Sequence, residues 1–312
     1  MSSDIEIIRY NPGLKSLWDK FVESSKNGTF LFKRDYMDYH SDRFIDDSRL
    51  IYRKGVLYSL LPANRVDTTL YSHQGLTYGG LIMDEKSTAE GILEVFRELT
   101  RLLRNEGVGK FIYKPVPHIY HAVPSEEDLY ALFRLDARIS VRNVSSVIRL
   151  DERVGFSKLR KRMIKKASQL GVTVKETRDY ERFWDILEAN LREKYSAAPV
   201  HSLDEMKKLS SVFSEIRLFG AYRDEVMLGG ILLYFTKKVA KVQYISANPS
   251  GKAQGAVDAI VDYLLRSPLE VDYFDFGTSN EDGGRYLNES LIHQKEGFGG
   301  RAVCYDSYEI TL

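Results

Sequence analysis

The pattern that most restricts the fold of this chain is an order of hydrophobic periodicities that runs through it twice. In the first half EIIRY alternates as a short strand, and LKSLWDKFVESS sets Leu14, Leu17, Trp18, Phe21 and Val22 at helical spacing. KRDYMDYH predicts a second, short helix. SRLIYRKGVLYSLLPA reads as two strands turning at Lys54-Gly55, and TTLYSHQGLTYGGLI as a strand running into a glycine-punctuated loop. TAEGILEVFRELTRLLRNEG carries Ile92, Val95, Phe96, Leu99, Leu102 and Leu103 on one stripe, with Gly107 placed to end the helix. KFIYK, SEEDLYALFRLDA and RISVRNVSSVIRL follow as strand, helix and one or two strands.

The second half repeats the order with different residues. YERFWDILEANLREKY is a helix on Phe183, Trp184, Leu187 and Leu191, and Ser202 with Glu205 forms a capping box at the start of the next. IRLFGAYRDEVMLGGILLYF is a hairpin turning near Arg223-Asp224-Glu225, and AKVQYISA is the next strand. GKAQGAVDAIVDYLLRS is a helix, VDYFDFG a strand, GRYLNESLIHQKEGF a helix, and RAVCYDSYEI closes the chain as strand. Each half therefore reads helix, helix, three antiparallel strands, helix, strand, helix, strands. The expectation is an α/β protein of two tandem units, residues 1–150 and 151–312, each a mixed, mostly antiparallel sheet flanked by helices. A basic segment, SKLRKRMIKKASQLGV, joins them, with Lys158, Arg160, Lys161, Arg162, Lys165 and Lys166 on its helix.

Composition narrows the function classes. Lys and Arg number 45 against 44 Asp and Glu, so no global charge draws the chain to nucleic acid or a membrane surface. A single cysteine, Cys304, permits neither an intramolecular disulfide nor a cysteine metal cage. The longest apolar run, Val226 to Phe235, is far below the roughly 20 residues of a membrane helix. The start lacks a secretion-signal pattern, so a cytoplasmic protein is expected. His118 and His121 stand among Pro115, Pro117 and Pro124, which argues against a helical metal clasp, and no metal site is expected. No Gly-x-Ser-x-Gly elbow and no Ser-His-Asp order is present.

The order hairpin, strand, loop, helix, strand, taken with the block YFDFGTSNEDGGRYLNESLIHQKEGFGGR and the basic segment LRKRMIKKASQLGVTV, resembles the Fem family of peptidoglycan aminoacyltransferases, which are built from tandem GNAT-like acyltransferase units. The likeness of element order covers nearly the whole chain, and that of motifs about a quarter. It implies two GNAT-like units, the first a wall of the acceptor cleft and the second the donor site. It implies transfer of an acyl or aminoacyl group to an amine or hydroxyl of a cell-envelope precursor of peptidoglycan or sugar-nucleotide type. No permanently bound cofactor is implied; the donor is acetyl-CoA or another acyl-CoA, or aminoacyl-tRNA. Two other readings stand beside it: a coenzyme A-dependent N-acetyltransferase of a small molecule, and a catalytically inactive GNAT fold that binds RNA or a protein partner.

Individual residues are weighed on the same terms. Lys295 falls in the last turn of its predicted helix, on the face of Leu287 and Leu291, before the glycines of EGFGG. It can cap the helix and favour its dipole, with Gly297 as the C′ residue, and compatibly with that role it is a candidate cation aimed into a cleft, where the resemblance implies a lysine near the transferred acyl group or the substrate phosphates. Asp275, in YFDFG, is a structural ion-pair partner or a base for the acceptor. Asn248, Gly251, Lys252, Gln254, Gly255 and Ala256 stand where GNAT enzymes hold the coenzyme A pyrophosphate, though NPSGKAQGA matches that loop only in part. Lys33, Arg34, His73, Tyr78, Tyr244 and Arg285 are candidate substrate contacts, against the plainer readings of solvated helix face and aromatic loop. The basic helix is either a solvated surface or the grip on a tRNA donor.

Overall fold

The computed structural model describes residues 4–312. In chain order the elements are β1 (Ile5–Arg9), α1 (Lys15–Ser24), α2 (Arg34–Met37), β2 (Arg49–Arg53), β3 (Val56–Leu61), β4 (Asn64–Val66), β5 (Thr69–Tyr71), β6 (Ile82–Met83), α3 (Ala89–Asn105), β7 (Lys110–Tyr113), α4 (Glu127–Arg134) and β8 (Arg138–Arg149). There follow α5 (Lys158–Gln169), β9 (Thr173–Thr177), α6 (Tyr180–Tyr195), α7 (Leu203–Val212), β10 (Ile216–Arg223), β11 (Val226–Phe235), β12 (Val239–Ala247), α8 (Pro249–Gln254), α9 (Ala256–Arg266), β13 (Tyr273–Thr278), β14 (Asn280–Glu281), β15 (Tyr286–Leu287), α10 (Glu289–Gly297) and β16 (Arg301–Thr311). Two compact units result. One holds the residues up to Asn143 together with Asp282–Tyr286 and Cys304–Leu312; the other holds Val144–Glu281 and Leu287–Val303.

In the first unit, Lys54 and Gly55 both have positive φ, the geometry a two-residue hairpin turn requires, and they join β2 to β3. These strands lie with β1 and β6 in one sheet, while β4, β5, β7 and β16 run in that order in another. The three antiparallel strands expected here are thus divided, and β5 instead lies parallel to β7. Helix α3 covers the core. Thr88 caps its start, accepting from the Gly91 N–H, and Gly107, at φ +72°, ends it. Its stripe of Ile92, Val95, Phe96, Leu99 and Leu103 packs with Phe111, Tyr113 and Ile310.

The second unit is one sheet in the order β8-β13-β12-β11-β10-β9, antiparallel except where β12 meets β13. Helix α9 sets Ile260, Val261 and Leu264 into a core with Ile231, Leu233 and Phe274. Helix α6 presses Phe183 and Trp184 inward, and Gly230 makes room: a Cβ there would lie 2.6 Å from the Phe183 ring. Two expectations are corrected. The predicted helix over GKAQGAVDAIVDYLLRS is broken at Gly255, whose φ of +78° no helix interior allows. The predicted helix from Gly284 starts only at Glu289, because Asn288 caps it by accepting from the Leu291 N–H.

Phe274 is fully buried on β13, its ring 4.9 Å from that of Phe276. Phe274→Ala is expected to cost about 3–5 kcal/mol, a drop on the order of 10 °C in the melting temperature measured by calorimetry.

Candidate active site

The chemistry of the second unit gathers where β12 and β13 part. Their parallel ladder has three rungs, Val239↔Tyr273, Ala240↔Phe274 and Lys241↔Asp275. Both strands bulge just beyond the last. On β12 the partners of Leu233 and Leu232 jump from Val242 to Tyr244, leaving Gln243 as an extra residue. On β13 the register against β8 shifts between Asp275 and Thr278, and Gly277 there has φ +77°. An extra residue bends its strand away from the partner, so two bulges at one level open the sheet.

An opened sheet leaves backbone groups without ladder partners, and buried carbonyls need donors. Lys295 supplies them. It is 6 % exposed, and its Nζ donates to the carbonyls of Gly277 at 2.8 Å and Thr278 at 2.7 Å. Two of its three N–H groups are so used. Burial pulls its pKa down to about 8, against the upward effect of Asp275 and with the further downward effect of Lys241. Glu296 is exposed, so the charged pair divides inward and outward as helical geometry requires. The route differs from the sequence argument, however: Leu287 lies in β15, outside the helix. The residue that ends α10 is also not Gly297 but Gly299, at φ +93°, while Gly297 stays helical and admits Ser157 and Arg160 of α5 within 3.4 Å of where a Cβ would be.

Asp275 is fully buried, and its Oδ1 accepts from Ser145 Oγ at 2.5 Å and from the Gly277 N–H at 2.8 Å. Next to the opening lies a cavity of about 550 Å³, within the range of small-ligand sites. Leu187, Ile245, Val257, Phe276 and Phe298 are among its apolar lining, and Asn190, Glu193, Lys194, Lys252, Gln294 and Lys295 among its polar groups.

Of the six residues expected to hold a pyrophosphate, Lys252 alone lines this cavity. Asn248 caps α8, its Oδ1 accepting from the Gly251 N–H at 2.7 Å. Gly251 is pressed on β11, where a Cβ would lie 2.1 Å from the Leu228 carbonyl oxygen; at Gly255 a Cβ would lie 2.7 Å from that of Met163. Gln254 bonds Arg223 and Ser250, and Ala256 is core. Both glycines thus answer to backbone packing.

The remaining candidates lie elsewhere. Lys33 pairs with Glu23 at 2.8 Å; Arg34 is buried between Asp38 and Asp46 and stacked on Tyr10. His73 is buried at φ +71°, its ring stacked on His40, and burial first and His40 second lower its pKa to about 3. Tyr78 is buried and donates to Thr29 Oγ1, and Arg285 is exposed. Tyr244, on β12, has its hydroxyl 2.7 Å from His201 Nδ1. Sequence reasoning missed Lys241, Ser145 and Asn190. A lysine inside the apolar strand VAKVQYISA was a visible signal for the first; Ser145 and Asn190 gave none. Among the described residues, no group of three or more His, Cys, Asp or Glu is placed to hold a metal ion, and no helix is long and apolar enough to cross a membrane.

No protein-family model and no curated protein sequence matches the chain. Solved structures do match its fold. FemX superposes with a TM-score of 0.68 at 11 % identity, over 98 % of this chain and 97 % of that one. L-PGS from Bacillus licheniformis gives 0.62 at 12 %, over 99 % and 92 %. A tandem GNAT protein from the clavulanic acid biosynthesis pathway gives 0.50 at 13 %, over 98 % of both chains. The chain has the tandem GNAT fold seen in FemX, with mostly antiparallel sheet flanked by helices.

If packing is what Gly251 serves, Gly251→Ala is expected to destabilise by about 1–3 kcal/mol in urea titration. A substitution that leaves the midpoint unchanged counts against this account of the glycine.

Proposed function

We propose that the chain is an acyltransferase whose second unit holds an aminoacyl ester in the cavity beside Lys295 and passes the aminoacyl group to an amine or hydroxyl of a cell-envelope precursor, of peptidoglycan or sugar-nucleotide type. The observation that carries this is Lys295 itself: a buried ammonium group on the cavity wall, with one N–H beyond the two bonded to Gly277 and Thr278 and a pKa near the working range of a general acid. The fold of FemX and of L-PGS, a lysyl-phosphatidylglycerol synthetase, supports the class of reaction.

In an amine acceptor the nitrogen lone pair attacks the ester carbonyl carbon, and the C=O π pair moves onto oxygen. The intermediate collapses, the C–O bond to the donor's hydroxyl breaks, and its electron pair leaves with that oxygen. Lys295 protonates the leaving oxygen, and the neutral amine so formed takes up the proton that the acceptor nitrogen loses. Apart from this shuttle the protein's part is positioning and charge stabilisation.

Two features favour tRNA as the carrier of the donor group over coenzyme A. The loop that would cradle a pyrophosphate is filled by the chain's own packing at Gly251 and Gly255. Helix α5, which borders α10 through the Ser157 N–H to Gly297 O bond, turns Lys158, Lys161, Arg162, Lys165 and Lys166 outward on one arc. Arg160 points the other way and pairs with Asp258 at 2.9 Å, leaving the outer arc for phosphates.

Two measurements test this. Replacing Lys161, Arg162, Lys165 and Lys166 together with glutamine is expected to weaken binding of deacylated tRNA and to flatten its log K against log salt slope by roughly two to four units. Absence of tRNA binding by the unaltered protein at low salt, with a thermal shift from acetyl-CoA, would hand the donor role to coenzyme A. Lys295→Arg keeps donors for both carbonyls but fixes the proton. It is expected to cut single-turnover transfer on the order of a hundredfold while the melting temperature holds. Lys295→Met is expected to lose stability as well, by about 1–2 kcal/mol, because the part-buried bonds to the Gly277 and Thr278 carbonyls are then lost.

A further inference from the structure

Lys241 is 7 % exposed on a central strand of the second unit, where a methionine would fill the space without placing a charge in the interior. Its Nζ donates to Gln243 Oε1 at 2.9 Å and, at 3.4 Å, to the Val242 carbonyl. The first acceptor belongs to the bulge residue, so the lysine is anchored at the point where the strands part. Across the last rung of the ladder its direct neighbour is Asp275. In parallel strands such neighbours project from the same face of the sheet. Asp275 holds the Gly277 N–H, and the Gly277 carbonyl holds Lys295. Two buried lysines therefore share the field of one carboxylate, and at Lys241 burial lowers the pKa while Asp275 acts to raise it.

Building on the reading of Lys295 given above, we propose that Lys241 is a positioning residue for the transfer step: its positive charge opposes the field of Asp275 at Lys295, and so makes Lys295 a readier proton donor to the leaving oxygen. Without Lys241 that opposition is lost, and Lys295 would hold its proton more firmly. The lowered pKa of Lys295 agrees in direction, with burial its largest cause and Lys241 among the others. The remaining charged groups near Lys295 do not substitute for this arrangement. Glu193 and Lys194 of α6 and Lys252 of α8 stand on the cavity wall, all three exposed to solvent. On α10 itself, His293 and Glu296 point outward. Arg160 of α5, beside Gly297, is neutralised by Asp258.

The test reads Lys295 directly and needs no assigned substrate. The full chain is labelled with a trace of acetic anhydride across a pH series, and acetylation of Lys295 is followed by mass spectrometry of its peptide. The unaltered protein should titrate near 8. Lys241→Met should move that titration up by roughly one unit, Asp275→Asn should move it down, and Lys241→Arg, which keeps the charge, should leave it in place. Transfer from charged tRNA should follow: its loss at high pH, where Lys295 is deprotonated, moves up in Lys241→Met, and the rate below that limb falls roughly threefold because a weaker acid donates less readily. Circular dichroism selects the variants that fold, and Lys241→Gln, which also removes the charge, takes the place of Lys241→Met if that variant does not fold. An unmoved Lys295 titration in a folded Lys241→Met protein overturns the proposal. A moved titration with an unmoved rate limb also overturns it, and removes the acid role of Lys295. A moved titration in a protein that transfers nothing from charged tRNA sinks the assigned reaction instead, which separates the two failures.

Discussion

The second unit is organised by a ladder that stops. Three rungs join β12 to β13, a bulge on each strand ends the pairing, and everything of chemical interest follows from what the gap demands. Carbonyls freed from a ladder inside a protein must find donors, and the donor here is a side chain from a helix that comes later in the chain. A hydrophobic residue at position 295 would leave the gap unstable; a lysine closes it and, in doing so, puts a desolvated cation on the wall of a cavity. The cap expected of Lys295 thus serves the strand rather than the helix, since its Nζ bonds the Gly277 and Thr278 carbonyls.

Much of the fold was legible in the sequence because its signals are local. The α3 stripe, the capping box at Ser202 and Glu205 and the turn at Lys54-Gly55 each depend on residues within a few positions of one another. Failures came where distant packing overrides local pattern. Ala253 to Arg266 has helical periodicity throughout, yet α5 passes so close at Gly255 that the helix must break there. Similarly, no local pattern says that β2 and β5 belong to different sheets, since both are short apolar runs.

The candidate site was less legible, for a related reason. Lys295 stood out on the expected apolar face of its helix before a glycine turn, and Asp275 as a charge within a strand, and the structure brings both to the parting of the strands. Gly251 and Gly255 stood out as glycines beside a helix start, a pattern that phosphate binding and tight backbone packing produce alike; only the position of the Leu228 and Met163 carbonyls separates the two. Arg34 and His73 attracted notice through the family resemblance and, for His73, a glycine-punctuated loop. Their burial in ion-pair and ring contacts of the first unit is a long-range fact, beyond the reach of spacing.

The path of β16 carries a consequence for how the molecule is made. Cys304–Leu312 belongs to the first unit, where Ile310 enters the core beside Phe111 and Leu132. During synthesis, the first unit's earlier residues emerge with that place in the core vacant, and they wait until the whole second unit has left the ribosome. Domains usually finish in order from the amino terminus. Here the last segment of the first unit, Cys304–Leu312, follows every residue of the second along the chain, so the first unit, although begun earlier, receives its final strand last.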